Sequence, residues 1–230
     1  MNSAHKSGTQ FSAVLLAAGA GSRLGGRAKS LLEIDGMPLI VRLITALTDA
    51  GASELVVVLG HHADAIKSVL RDLPAPRVAP MTVVTNASPD DGQASSLRIG
   101  LDALTRHTND VMIALADQPM IDAEDVGDLL RAFATRGDQP MLVPRVAGKP
   151  GNPVLIDAAL AALWRNAGAT STGQIWRRDN PTRIHWFDTD NEHYRVDIDT
   201  PEDMHRFTER TGHALTWPAA LGADRSNGLI

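Results

Sequence analysis

Apolar and polar residues follow one another along this chain in blocks that predict strands and helices in turn. Residues 11–18 form a continuous apolar run that leads into glycines, which is typical of a strand buried on both faces. Apolar residues at helical spacing between Pro38 and Gly51 predict the first helix. The alternation continues to about residue 145, with predicted strands at 55–59, 81–85, 111–115 and 141–145 and predicted helices at 63–70, 95–104 and 123–135.

This order predicts an α/β fold with a doubly wound, mostly parallel, Rossmann-like sheet and helices on both faces. Beyond Pro150 the rhythm loosens, with predicted strands at 154–156, 184–187 and 194–198 and a helix at 158–166. We interpret this part as an elaboration of the same sheet. The sequence therefore predicts a single domain over 1–230, with a core at about 12–208 and peripheral ends at 1–10 and 212–230.

The composition removes several classes of function. A length of 230 residues suits one sizeable domain, and 43% hydrophobic residues are enough for a core. The formal net charge of −5 gives no basic face for nucleic acid or for an anionic membrane surface. Cysteine is absent, which excludes disulfides, thiolate metal ligands and cysteine nucleophiles. With no signal-peptide core and no apolar run of membrane-helix length, a soluble cytoplasmic protein is expected.

The loop after the first predicted strand carries the strongest chemical signal. It reads LAAGAGSRLGGRAK over residues 16–29 and leaves the strand at the edge where doubly wound sheets bind ligands. Small residues let backbone N–H groups approach an anion closely, and Arg23 and Lys29 add positive charge. The sequence predicts that this loop binds a nucleoside triphosphate through Leu16, Ala17, Ala18, Gly19, Gly21, Ser22, Arg23 and Lys29.

Two other phosphate-binding loops fit this segment poorly. The GxxxxGK[ST] loop needs a glycine before its lysine, but Ala28 precedes Lys29. The dinucleotide fingerprint G-x-G-x-x-G matches Gly19 and Gly21 but fails at Leu24, and no acidic residue closes the second strand. A plain turn with a surface arginine and lysine is the remaining alternative, which the coincidence of so many specific positions disfavours.

The motif LAAGxGxRLG…K resembles the opening signature of nucleotidyltransferases that charge sugar phosphates, methylerythritol phosphate and molybdenum cofactor. Three further stretches resemble molybdenum cofactor cytidylyltransferases, namely NASPDDGQASSLRIGL (86–101), KPGNPVL (149–155) and VDIDTPED (196–203). The resemblance covers nearly all of residues 12–208. It implies a fold of the nucleotidyltransferase type A kind, CTP as donor, Mg²⁺ as cofactor and molybdopterin-type molybdenum cofactor as acceptor. It also implies a molybdoenzyme or its chaperone as a protein partner.

Two predicted strand ends carry candidate metal ligands. Asp117 follows the strand at 111–115, on the edge that carries the glycine loop, and a carboxylate there can hold Mg²⁺ against triphosphate oxygens. The family places its metal aspartate in a G-D-x-P stretch, for which this chain has Ala116 in place of the glycine. Asp197 and Asp199 share one face of an extended segment and repel each other unless a cation lies nearby.

The family's second metal ligand falls in that stretch, and we assign it to Asp197, with Asp199 as the alternative ligand or as a residue that ties down the turn. The next residues favour a helix start, with Thr200 as N-cap, Pro201 as first helical residue and Asp203 as capping partner.

Two segments are candidates for substrate specificity. In the resembling cytidylyltransferases the helix start at 92–96 meets the base and ribose, and Ser96 matches best, although a serine there also serves as a helix cap. Gly151, Asn152 and Pro153 resemble the acceptor-binding loop of the family. A tight turn built from glycine and proline explains the same three residues.

Together these parts predict transfer of CMP from CTP to the phosphate of molybdopterin, with release of pyrophosphate. Arg23 and Lys29 are the predicted catalytic residues, neutralising the departing phosphates and the α-phosphate respectively. The sequence LAAG favours CTP by resemblance, because guanylyltransferase relatives usually show LAGG. The alternatives are a nucleotidyltransferase acting on a sugar phosphate or another small phosphorylated acceptor, a dinucleotide-binding oxidoreductase, and a non-catalytic nucleotide sensor.

Overall fold

The computed structural model describes residues 10–73, 79–106, 108–166 and 173–219. Its strands are, in chain order, β1 (Phe11–Ala17), β2 (Glu33–Ile34), β3 (Met37–Pro38), β4 (Ala52–Leu59), β5 (Met81–Thr85), β6 (Asp110–Leu115), β7 (Met141–Val146), β8 (Lys149–Pro150), β9 (Val154–Asp157), β10 (Ile184–Asp188) and β11 (Leu215–Thr216). Its α-helices are α1 (Leu39–Asp49), α2 (Ala63–Arg71), α3 (Gln93–Asp102), α4 (Ala123–Ala134), α5 (Ala158–Asn166), α6 (Gly173–Asp179) and α7 (Pro201–Thr211).

The main sheet has the strand order β10-β7-β9-β6-β1-β4-β5, with β8 paired to β7. The pairs β1–β4, β1–β6, β4–β5 and β7–β10 are parallel. Strand β9 lies antiparallel between β6 and β7, because the hairpin that leads into it is too short for a crossover helix. The predicted α/β class and the mostly parallel sheet are confirmed, and the part beyond Pro150 extends the same sheet.

Strand β1 is buried along its whole length because helices cover both faces of the sheet. Its alternate side chains enter two separate hydrophobic cores. Ala13 and Leu15 pack in the core formed with α1, α2 and α4, whereas Val14 and Leu16 pack in the core formed with α3 and α5. The loop that leaves β1 is therefore fixed at its base from both sides.

The predicted strand at 194–198 is wrong. Residues Glu192–Arg195 form a 3₁₀ turn instead, and the side chain of Asn191 caps it by accepting a hydrogen bond from the His193 N–H. The following residues run extended, but the backbone N–H of Ile198 donates to the carbonyl of Asp117 rather than to a neighbouring strand. A local cap and a loop contact thus replace the expected ladder.

A small antiparallel sheet of order β11-β2-β3 was not predicted from the hydrophobic pattern. Leu215, in the stretch predicted as peripheral, pairs with Ile34 and is buried in a third apolar cluster with Leu39 and Phe207. The predicted peripheral residues 1–9 and 220–230 lie outside the described residues. In the described ranges, no helix has the length and apolarity needed to cross a bilayer.

Candidate active site

A cavity of about 180 Å³ opens where β1 and β6 end. Its position agrees with the rule that open α/β sheets bind ligands beyond the carboxyl ends of their strands. The lining includes these residues predicted from the sequence: Leu16, Ala17, Ala18, Gly19, Lys29, Ser96 and Asp117. Gly21, Ser22 and Arg23 do not line it, although they belong to the same loop.

Gly21 shapes the glycine loop by its backbone conformation. It has a left-handed φ of 64°, and a Cβ added there would lie 1.9 Å from the carbonyl oxygen of Arg27. Its own carbonyl accepts hydrogen bonds from the N–H groups of Leu24 at 2.8 Å and Gly26 at 3.0 Å. The 3₁₀ turn that contains Ser22 is closed in this way, so Gly21 and Ser22 hold the loop in its shape.

Lys29 begins a second 3₁₀ turn and points its ammonium group at two carboxylates. Its Nζ donates to Asp117 Oδ2 and, at 2.7 Å, to Asp199 Oδ1. Burial by itself would lower the pKa of Lys29, but the two aspartates outweigh it and raise the pKa above its usual value. The predicted catalytic lysine and the predicted metal aspartate are therefore in direct contact.

Asp199 is joined to two cations of the loop, since Arg23 also donates to its Oδ2 at 2.9 Å. Burial would raise the pKa of Asp199, but Lys29 and Arg23 together lower it. The turn is tied down by Asp203, whose Oδ2 accepts from the backbone N–H groups of Asp199 and Thr200. The predicted capping box of Thr200 and Asp203 is confirmed.

Asp197 is close enough to Asp117 for the two charges to interact, although it lines a separate cavity with His193 and Arg206 and does not line the first one. The Ile198 N–H donates to the Asp117 carbonyl at 3.0 Å, and Asp197 and Asp199 are the residues before and after Ile198 in the sequence. Burial raises the pKa of Asp197, and the negative charges of Asp117 and Asp199 raise it further. Asp117 Oδ1 is buried and accepts no hydrogen bond from the described residues.

The charge balance of this cluster fits a bound cation. Asp117 and Asp199 meet at Lys29 and their charges also act on Asp197, whereas the described contacts bring only the two cations Lys29 and Arg23 to this group. A buried carboxylate oxygen without a partner is uncommon and needs an explanation. Oxygen-only donors of this type suit Mg²⁺, which is usually bound through one or two carboxylates together with substrate phosphates.

The start of α3 forms the opposite wall of the cavity. Ser96 is buried, and its Oγ accepts a hydrogen bond from Asn86 Nδ2 at 3.0 Å, which leaves its own hydroxyl proton free to donate. Ser95 also accepts from Asn86 and donates to the Gly92 carbonyl, but the N-cap of α3 is Gly92 and has no side-chain cap, so neither serine caps the helix. Gly100 lets α3 approach the sheet, because a Cβ there would lie 2.4 Å from Val14 Cγ1.

The loop predicted to bind the acceptor is held by its neighbours. Gly151 passes so close to Tyr194 that an added Cβ would lie 2.3 Å from the Tyr194 carbonyl oxygen. The N–H of Asn152 donates to that carbonyl at 2.9 Å, and Gln118 Nε2 donates to the Asn152 carbonyl at 2.9 Å. The peptide between Asn152 and Pro153 is cis. Close packing accounts for Gly151, whereas Asn152 lines a second cavity.

Several lining residues were not assigned from the sequence. His62 follows β4, lines the cavity and donates from Nε2 to the Ala20 carbonyl at 3.0 Å. The rule on strand ends would have found it, because His62 lies just beyond a parallel strand. Gly92 and Gln93 also line the cavity.

A separate group of possible metal ligands has a structural explanation. Oxygens of Asp122 and Asp125 lie within 4.8 Å of a His193 nitrogen. Asp122 and Asp125 form the capping box of α4, and Asp125 also contacts His193 Nδ1 at 2.9 Å and accepts from Asn191. These hydrogen bonds account for the cluster without an ion.

The strand order and the cavity at the strand ends place this chain in the class of α/β nucleotidyltransferase folds. The chain belongs to the family of MobA-like NTP transferase domains, whose profile matches residues 13–182.

Two curated relatives and one solved structure illustrate the similarity. The chain is 32% identical over 199 residues to nicotine blue oxidoreductase of Paenarthrobacter nicotinovorans, which covers 84% of this chain and 94% of that protein. It is 29% identical over 199 residues to 2-C-methyl-D-erythritol 4-phosphate cytidylyltransferase of Streptomyces avermitilis, covering 80% and 77%. The fold is shared with Rv0371c from Mycobacterium tuberculosis H37Rv, with a TM-score of 0.72, 21% identity and coverage of 87% and 99%.

Proposed function

We propose that the protein transfers CMP from CTP to the phosphate group of a small acceptor and releases pyrophosphate. The observation that carries this proposal is one cavity that joins the glycine loop, the Lys29–Asp117 contact and the start of α3. Molybdopterin-type molybdenum cofactor is the acceptor favoured by the sequence resemblance. A molybdoenzyme or its chaperone would then be the protein that receives the product.

The donor would lie along the cavity, with its base and ribose near α3 and its phosphates at the loop. Ser96 has a free hydroxyl proton for a base or ribose oxygen, and the loop offers backbone N–H groups and positive charge to the phosphates. Arg23 would bind the β and γ phosphates, and Lys29 the α-phosphate. The Streptomyces avermitilis relative carries a cytidylyltransferase name, which supports CTP over other nucleotides.

Asp117 and Asp197 are the residues that would hold Mg²⁺, and Asp117 Oδ1 is a buried oxygen that accepts no hydrogen bond from the described residues. Bound Mg²⁺ neutralises charge on the phosphate oxygens. Asp199 would hold the side chains of Arg23 and Lys29 at the site when no substrate is bound.

The reaction itself requires positioning and charge neutralisation. An acceptor phosphate oxygen forms a bond to the α-phosphorus, the bond from the α-phosphorus to the bridging oxygen breaks, and its electron pair leaves with pyrophosphate. A phosphate monoester is already largely ionised near neutral pH, so no side chain has to remove a proton. Lys29 and Arg23 stabilise the charge that develops on the transferred and departing groups.

An oxidoreductase is the second candidate, favoured by the name of the relative that is 32% identical over 94% of its length. The same cavity would then hold a nicotinamide cofactor or an oxidisable ring. The interrupted glycine fingerprint at Leu24 and the lack of an acidic residue after β4, which ends at Leu59, disfavour dinucleotide binding.

Pyrophosphate release separates the two candidates. Purified protein is assayed with Mg²⁺ and one nucleotide, either CTP, GTP or ATP. The acceptor is molybdopterin, methylerythritol phosphate or a sugar phosphate. NADH oxidation is measured in parallel. We expect CTP-dependent release that falls by about a hundredfold or more in Asp117→Asn. Asp197→Asn should raise the Mg²⁺ concentration needed for half-maximal activity, whereas exposed Asp190→Asn should leave it unchanged. NADH oxidation without pyrophosphate release would reverse the assignment.

A further inference from the structure

A second cavity of about 120 Å³ adjoins the first on the side of β6, β9 and β7. Leu16, Gln93 and Leu115 line both cavities, so the two share a wall. Asn152, from the loop predicted to bind the acceptor, also lines the second cavity. The volume suits a group of ring size, since an apolar cavity of roughly 150 Å³ accommodates benzene.

Trp164 supplies the first unusual polar atom of this cavity. The side chain is 3% exposed, yet its Nε1 has no hydrogen-bond partner among the described residues. The indole N–H is a donor only, and a buried donor without an acceptor is rare in native proteins. The ring is held edge-on against Trp176, with centroids 6.2 Å apart. A ligand oxygen in the cavity is the acceptor that this arrangement lacks.

Arg177, on α6, supplies a positive charge to the same cavity. It is half-buried, and within the described ranges of the chain it forms no ion pair. Burial lowers its pKa, and no carboxylate within the described ranges pairs with Arg177 to oppose the effect. Its neighbour Arg178 is exposed and paired with Asp179, which is the usual state of a surface arginine. None of the described residues that line the cavity is acidic.

We propose that the second cavity is the subsite for the body of the acceptor, and that it selects a planar ring that carries an anionic oxygen group. Arg177 binds the anionic oxygens, the Trp164 N–H donates to an oxygen of the ligand, and the ring lies on apolar side chains such as Met141 and Ile113. Naming this ligand the acceptor rests on the proposed transferase function, whereas the cavity's preference for an anionic ring does not.

The test uses benzoate as a charged ring and benzyl alcohol as its neutral counterpart. Binding to the ¹⁵N-labelled protein is followed through the four indole N–H resonances, and Trp164→Phe identifies the relevant one. Benzoate should shift the Trp164 resonance and bind more tightly than benzyl alcohol. Arg177→Gln should weaken benzoate binding by about tenfold or more, while exposed Arg178→Gln leaves it unchanged.

The proposal is overturned if the Trp164 resonance does not move, if Arg177→Gln binds benzoate like the unchanged protein, or if Arg178→Gln loses as much affinity. If Arg177→Gln fails to fold, Arg177→Lys is tested in its place. This variant keeps the charge and should retain a preference for benzoate over benzyl alcohol. CTP binding, measured by calorimetry, should be the same in Arg177→Gln. If no pyrophosphate is released, the transferase assignment is wrong, but the benzoate result still tests whether the cavity binds an anionic ring.

Discussion

The ammonium group of Lys29 bridges the carboxylates of Asp117 and Asp199, and so connects the loop after β1 with two distant parts of the chain. Without a bound metal or nucleotide, the lysine provides the cation that these carboxylates need. A metal ion bound at Asp117 Oδ1 would therefore compete with Lys29, which contacts Oδ2, for the charge of the same carboxylate. Removing Lys29 should therefore change metal binding, which removal of a lysine on the surface would not.

We expect Lys29→Gln to reduce CTP-dependent pyrophosphate release by about a hundredfold or more, because charge at the α-phosphate is no longer neutralised. The same variant should bind Mn²⁺ more tightly in the absence of nucleotide, since Asp117 and Asp199 lose their competing cation. Turnover is measured by a coupled pyrophosphate assay and Mn²⁺ affinity by calorimetry. Lys67→Gln on α2 is the control, and full activity in Lys29→Gln would remove the lysine from the mechanism.

Alanine substitutions at two glycines of the loop test the effects of backbone conformation and of steric space separately. Gly21 and Gly25 have left-handed φ values of 64° and 70°, but only an added Cβ at Gly21 meets another atom, the Arg27 carbonyl oxygen at 1.9 Å. Both alanine variants carry a conformational cost of about 1 kcal/mol. Gly21→Ala should also distort the loop and weaken CTP binding by about tenfold or more, whereas Gly25→Ala should bind CTP nearly normally. Equal affinities would show that loop shape is unimportant.

Gly100 and Gly127 form a similar pair within helices. A Cβ at Gly100 would lie 2.4 Å from Val14 and 2.8 Å from Val58, whereas at Gly127 it would meet only the flexible end of Arg131. Gly100→Ala should lower the free energy of unfolding by about 1–3 kcal/mol through overpacking. Gly127→Ala should raise it by up to about 1 kcal/mol through helix propensity. Urea denaturation checks both signs, and stabilisation by Gly100→Ala would contradict the packing described.

Glu54, buried in β4, gives a prediction on pH. Burial would raise its pKa, but hydrogen bonds from the Thr105 hydroxyl and from the N–H groups of Thr105 and Arg106 outweigh this and lower the pKa below 4.5. The unfolded chain then takes up the proton first, so the stabilisation is complete above pH 4.5 and is lost as the pH falls through the folded pKa.

Glu54→Gln should therefore lower the free energy of unfolding by about 1–3 kcal/mol at neutral pH, because the buried N–H donors lose a charged acceptor. The difference from the unchanged protein should shrink on acidification. Urea denaturation at several pH values measures it, with Glu33→Gln of the small sheet as control. A difference that grows below pH 4.5 would contradict the sign.

Local signals were enough to predict the parts of the molecule that depend on neighbouring residues. The apolar run of β1, the glycines after it and the position of Asp117 at a strand end all follow from short-range patterns. The direction of β9 was not predictable, because it depends on which strands it pairs with. The 3₁₀ turn at Glu192–Arg195 replaced a strand because Asn191 offers a local cap that the hydrophobic pattern does not reveal.

Arg177 shows the limit of sequence inference about the site itself. Nothing in its neighbourhood distinguishes it from Arg178, which follows it and is exposed. Only the packing of α6 against Trp164 brings one arginine into a cavity and leaves the other in solvent. Asp199 is a comparable case, since its contacts with Lys29 and Arg23 depend on the backbone hydrogen bond from Ile198 to Asp117 and on the turn that Asp203 holds.

The reversed direction of β9 gives the two halves of the site different architectures. Parallel strands such as β1 present loops that follow them, whereas β9 presents at this edge the loop that precedes it, with Val154 beside Ile113. In the proposed reaction, the donor side would be built from crossover loops tied to whole helices, and the part of the acceptor side nearest the donor from a hairpin. A hairpin can lengthen, shorten or change sequence without shifting any helix, so this part of the acceptor side could vary while the donor side stays the same.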